Sequence, residues 1–186
     1  MGLAKRSSNS TNFSSPRARA SGVPTFLMKS QVMATRKPSP NAQFSAFVSR
    51  FSPEIVALVK RCLPKIRRAI PCSYQLVYEY SSSLVVAFGM SERGYEAIVA
   101  IAIFPRWIRL YFDKSLPDPK GLLKGSGTKV RSVTIKAASD LDHADIQALF
   151  KAAIKRSGVA FPKTRSTRIV IKSTSTKQGP RRPGRA

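Results

Sequence analysis

The chain has 186 residues, of which 42% are hydrophobic, and its 33 Lys and Arg against 9 Asp and Glu give a formal charge of +24. That length fits one domain with a core of ordinary size. Two cysteines are too few for a disulfide framework or a zinc cage, and the longest apolar run, 97–104, falls far short of the ~20 residues that span a bilayer.

The charge is unevenly placed. Residues 1–40 hold seven basic residues and no acid, residues 159–186 hold eight and no acid, and all nine acids lie between them. Residues 1–41 mix Ser, Pro, Ala and basic residues without a sustained apolar period, so they are expected to form a disordered basic arm. Their acid-free, Ser- and Arg-containing composition also resembles an organelle transit peptide. The stretch MATRK at 33–37 reads as an alternative protein start, which would place residues 1–32 outside the mature chain.

The folded domain is expected over 42–158. Phe44, Phe47, Val48 and Phe51 share a helical spacing. Ser52-Pro53-Glu54 is a helix start, with a Ser N-cap, Pro in the first turn and Glu at the positive end of the dipole. The stripe Ile55, Leu58, Val59, Cys62, Ile66 and Ile70 continues it. Pro64 predicts a break or kink there, and Pro71 ends the helix. From Tyr74 the period changes to that of strands, predicted at 74–80, 83–88, 97–104, 106–112 and 129–136. Pro105 marks a bulge, bend or edge position. A closing helix starts within Asp140–Asp145 and runs to about Arg156. Residues 159–186 form a basic C-terminal tail in which 167–172 has the composition of one short strand. The order predicts an α+β fold: an antiparallel sheet of about five strands with N-terminal and C-terminal helices packed on it.

No catalytic constellation emerges. His143 is the only histidine and sits at a helix start, where acid–base work lacks an orienting partner. Asp140, Asp142 and Asp145 beside it read as helix capping, with Asp142 and Asp145 as the capping pair, rather than as a cation site. Arg61, Lys65 and Arg68 read as a solvated helix face. Trp107, Arg109 and Tyr111 share one face of a strand; such a pattern can stack nucleic-acid bases, but the first expectation is that these larger residues pack under a helix. The segment 120–131 carries the candidate ligand site, Lys124, Gly125, Ser126, Gly127, Lys129 and Arg131. Its glycines let backbone N–H groups turn toward an anion and its basic residues add charge. The spacing is not that of a P-loop, and no metal or other cofactor is expected.

The strings FSPE at 51–54, LVY at 76–78, LVVAFG at 84–89, FPRW at 104–107, LPDP at 116–119, LLKGSG at 122–127 and IVIKSTSTKQ at 169–178 together resemble the YdhG-like family, a bacterial domain of unknown function. The resemblance covers roughly 44–178. It implies a small cytosolic α+β domain without an accepted reaction. Some members carry a frataxin-like, iron-chaperone label, which implies an acidic ridge on the first helix and strand. Here the helix that starts at Ser52-Pro53-Glu54 carries Glu54 alone against Lys60, Arg61, Lys65, Arg67 and Arg68, so iron handling is disfavoured.

The expected function is therefore a non-enzymatic binding domain for a small anion or a protein partner, in the cytoplasm and without a membrane role. The alternative is weak, salt-sensitive association of the basic arms with nucleic acid.

Overall fold

In the computed structural model the described residues are 37–161, 167–177, 179 and 181–182. Of the disordered arm expected over 1–41, residues 1–36, and with them the alternative start at Met33, lie outside the described residues; its end does not hold, because residues 40–41 already belong to the first helix. Three helices, α1 (Pro40–Val48), α2 (Pro53–Ala69) and α3 (Ala144–Ser157), accompany six strands: β1 (Tyr74–Glu79), β2 (Leu84–Gly89), β3 (Val99–Ile103), β4 (Ile108–Asp113), β5 (Val130–Ile135) and β6 (Arg168–Ser173). The spatial order is β5-β4-β3-β2-β1-β6. The first five strands form an antiparallel meander, and β6 adds to the β1 edge in parallel. The α+β class holds, but the sheet is mixed and six-stranded rather than antiparallel with about five. The sixth strand comes from the segment beyond residue 158. Thr167 Oγ1 donates to Cys72 O at 3.1 Å, and the Arg168 N–H donates to Ser73 O at 2.8 Å, which sets β6 in register beside β1.

Two helices start on the same chemistry. Ser39 and Ser52 each accept a backbone N–H three residues on, from Ala42 at 3.3 Å and from Ile55 at 3.5 Å, and each is followed by Pro at the first helical position. The Ser39-Pro40 start places α1 one turn earlier than its apolar spacing alone suggests. α2 runs through Pro64 without a break. Pro64 and Lys60, whose carbonyl loses its helical donor, both sit on the exposed side, where water can satisfy that oxygen.

The paired positions divide the sheet into two faces. The row Val77, Val86, Ile101, Leu110 faces the helices, as does the row Leu84, Ile103, Ile108, Ile135. These side chains form one core with Phe51, Ile66 and Phe150. The opposite face carries Tyr78, Val85, Ala102 and Arg109 in one row and Leu76, Ala87, Ala100, Tyr111 and Ser132 in the next. Arg109 and Tyr111 therefore do not pack under a helix. On β4 that position belongs to Ile108, Leu110 and Phe112, which are essentially fully buried.

Pro105 lies in the β3–β4 turn, closed by the Phe104 N–H donating to Trp107 O at 2.9 Å. Capping before α3 falls to Asp140, whose Oδ2 accepts from the Lys136 N–H at 2.8 Å and the Ala137 N–H at 3.0 Å. It does not fall to Asp142 and Asp145: Asp142 is ion-paired with Lys65, and His143 occupies the N-cap without a side-chain cap.

Candidate functional site

The helix-free face of the sheet carries a groove of about 940 Å³. Its floor is made of small side chains, Val85 and Ala87 from β2 and Ala100 from β3. Tyr78 and Tyr80 rise on the β1 side and Tyr111 on the β4 side. β1 and β4 lie three strand spacings apart, on the order of 14 Å. The trench thus follows from sequence: small residues on the two central strands, aromatic residues on the strands flanking them. Tyr95, from the β2–β3 connection, closes one end at 82% exposure.

Four of the five tyrosines in the chain line this groove. Trp107, 42% exposed, precedes β4 and lies outside the groove, in a cavity it shares with Glu54, Leu58 and Arg61 of α2, with the Arg109 guanidinium 5.6 Å from its ring centroid in a cation–π contact. Tyr80, Tyr95 and Val130 of the groove are three of the five large hydrophobic residues exposed among the described residues. Exposed apolar residues gathered in one groove are the usual mark of an interaction surface.

The packing behind the rings is tight. A Cβ at Gly94 would lie 2.2 Å from the Tyr78 hydroxyl, so a glycine there is what allows Tyr78 to sit beneath the 94–96 turn. Burial, and then the neighbouring Tyr80, raises the Tyr78 phenol above its ordinary range.

Carboxylates near the groove are already engaged. The Ser115 hydroxyl and N–H donate to Asp113, the latter at 2.9 Å, and these bonds hold its carboxyl below the ordinary range; Arg156 lies 3.4 Å away. Glu96 is held down by the Ser91 hydroxyl, with Arg93 at 3.3 Å, and Glu92 faces Arg168 at 3.8 Å. Lys114 and Lys129, both lining the groove, have no carboxylate partner among the described residues. The local charge left over is positive.

The glycine segment is divided by the fold. The Lys124 N–H donates to Ser132 O at 2.8 Å and the Ser132 N–H to Lys124 O at 2.9 Å, so 125–131 is a closed loop. Gly125 has φ +120°, and a Cβ at Gly127 would lie 2.6 Å from Val130 O. Both glycines are thereby accounted for by the turn itself. Lys124, Gly125, Ser126, Gly127, Lys129 and Arg131 are all exposed. The groove takes Thr128 and Lys129 from this segment but not Lys124 or Arg131. The sequence reading missed Tyr78, Tyr80, Tyr95 and Lys114. The available signal was the position of the tyrosines on one parity of β1 and β4, opposite Ala and Val on β2 and β3.

His143 is exposed at the N-cap of α3, away from the groove residues in sequence and in element. Cys62 and Cys72 are buried free thiols, and burial pushes them up to about 11 and about 12. Among the described residues no group of three or more His, Cys, Asp or Glu side chains is placed to hold a metal ion, and no helix is long and apolar enough to cross a membrane. No family model, curated protein or solved structure matches the chain.

Proposed function

We propose that this protein is a YdhG-like, non-enzymatic binding domain of the cytoplasm whose ligand face is the helix-free side of the sheet, and that its ligand is anionic. The observation that carries this reading is the groove itself. Aromatic walls stand over a floor of small residues, and the unpaired ammonium groups of Lys114 and Lys129 sit beside carboxylates that are already neutralised by their own partners. Apolar concavities with a few convergent polar groups are the usual form of a ligand site.

A second reading places the anion on the 124–131 loop alone, held by Lys124, Lys129, Arg131 and the N–H groups of Gly125, Ser126 and Gly127. The two separate by thermal shift of the full chain with phosphate, mononucleotides and organic acids, since a ligand that binds the native state raises Tm by mass action. A shift lost in Lys114→Ala and Tyr95→Ala but kept in Lys124→Ala/Arg131→Ala supports the groove. The reverse pattern places the ligand on the loop. The iron-chaperone alternative is disfavoured by charge: α2 presents Glu54 alone among five basic residues.

A further inference from the structure

We infer that the helix-free face binds single-stranded nucleic acid, with bases stacked on its exposed rings and phosphates beside its unpaired lysines; this rests on the reading of that face as the ligand face. Three observations select this occupant over a small anion. First, the exposed rings of the groove sit on separate elements, Tyr80 after β1 at 51% exposure and Tyr95 between β2 and β3 at 82%, while Trp107, 42% exposed, stands outside the groove against Arg109. A small anion needs one enclosing pocket, whereas rings spaced across a trench suit successive bases, each of which offers a π-face. Second, the groove is floored by the small side chains of Val85, Ala87 and Ala100, so planar groups can approach the sheet closely. Third, the charge is complementary. Lys114 and Lys129 lack carboxylate partners among the described residues, and Arg109 stacks on Trp107.

This differs from association through the basic arms. Flexible arms neutralise phosphates on any polyanion, and they bind duplex at least as well as a single strand. Rings on a sheet face require unstacked, unpaired bases, so the folded face should discriminate against duplex.

The test uses the full chain and fluorescein-labelled oligonucleotides of one length, a mixed-sequence single strand and its duplex, followed by anisotropy across a salt series. The single strand should bind more tightly than the duplex. Tyr80→Ala, Tyr95→Ala and Trp107→Ala should each weaken single-strand binding on the order of tenfold while leaving duplex binding unchanged. Lys114→Ala/Lys129→Ala should flatten the salt dependence of single-strand binding by about two counterions. Circular dichroism of each variant checks folding, and Tyr80→Phe and Tyr95→Phe, which keep the ring, should bind as the parent does. Ultraviolet crosslinking should attach the oligonucleotide to Tyr80, Tyr95 or Trp107. Equal affinity for duplex with no effect of the ring variants would overturn the inference. If oligonucleotides fail to bind at low salt while mononucleotides still give a Lys114-dependent thermal shift, the sheet face remains the ligand face and the nucleic-acid inference is wrong. Crosslinks confined to residues 1–36 or to α2 and α3 would overturn the nucleic-acid inference, and the loss of any Lys114-dependent thermal shift would overturn the ligand face as well.

Discussion

Arg181 donates to the Glu79 carboxylate at 3.0 Å, with neither side chain more than 3% exposed, and so ties the last described segment of the chain to the end of β1 across 102 residues of sequence. The same guanidinium donates to Tyr80 O at 2.6 Å and lies 5.2 Å from the Phe51 ring centroid, while Arg50 donates to the same Glu79 Oε1. Breaking a buried pair by removing one partner leaves an uncompensated charge and costs about 3–5 kcal/mol. Arg181→Ala should cost about 3 kcal/mol, near the low end because Arg50 remains, and Glu79→Ala should cost more because two guanidinium groups lose their carboxylate. Urea unfolding of the two variants measures this. A change under about 0.5 kcal/mol for Arg181→Ala would mean that the C-terminal segment is not part of the folded unit.

Gly94 and Tyr78 should be energetically coupled. Gly94→Ala places a methyl group against the Tyr78 hydroxyl and is expected to destabilise by about 1–3 kcal/mol through overpacking. In a Tyr78→Phe background the hydroxyl is gone and the nearest ring carbon stands 3.3 Å away, so most of that cost should vanish. A double-mutant cycle read by thermal unfolding gives the coupling directly, and additive costs would contradict the contact.

The buried thiols predict an alkaline limit to stability. In the folded state burial raises Cys62 to about 11 and Cys72 to about 12, above their ordinary values near 9. An acid whose folded pKa is raised binds its proton more tightly when native, so its contribution is fully present below about pH 9 and is lost as pH rises through 11 and 12. Urea midpoints should fall across that window, and Cys62→Ala/Cys72→Ala should show a shallower fall. At pH 8 both thiols should resist iodoacetamide in the native protein and react readily in urea.

Pro64 interrupts the hydrogen bonding of an otherwise continuous, solvent-facing turn of α2. Proline in a helix interior is about 3 kcal/mol worse than alanine, offset by up to about 1 kcal/mol because proline also restrains the unfolded chain. Pro64→Ala should therefore stabilise the protein by about 2 kcal/mol, visible as a raised Tm. A loss of stability would show that the helix depends on a bend at this position.

Much of the fold was legible because its signals are local. Alternating β-branched and aromatic residues marked every strand, including β6, within about two residues, and Ser52-Pro53 marked α2. What was not legible is which side of the sheet is covered. Along 107–112 each parity carries large side chains with apolar surface, so the alternation of Trp107, Arg109 and Tyr111 with Ile108, Leu110 and Phe112 does not by itself say which set faces the helices. The answer lies in partners from other strands: Ala100 and Ala102 stand opposite Tyr111 and Arg109, while Ile101 and Ile103 stand opposite Leu110 and Ile108. Size complementarity across strands decided the face, and single-strand periodicity does not contain it. The burial of Arg181 was equally invisible, because its partner Glu79 is supplied by a distant strand. A run of basic residues reads as a solvated tail until that carboxylate is placed beside it. The glycine loop drew attention through composition, whereas its glycines are used by backbone geometry at Gly125 and Gly127.

The most direct measurement of the sheet face as ligand face uses the single tryptophan of the chain, Trp107, whose indole N–H gives one unambiguous proton–nitrogen resonance. A single-stranded oligonucleotide should be titrated into the isotope-labelled full chain. The Trp107 indole signal and the backbone amides of Tyr80, Tyr95, Lys114 and Lys129 should shift together in a saturable manner. Saturation with those signals unmoved, and with shifts confined to residues 1–36 or to α2 and α3, would contradict the assignment of the helix-free face.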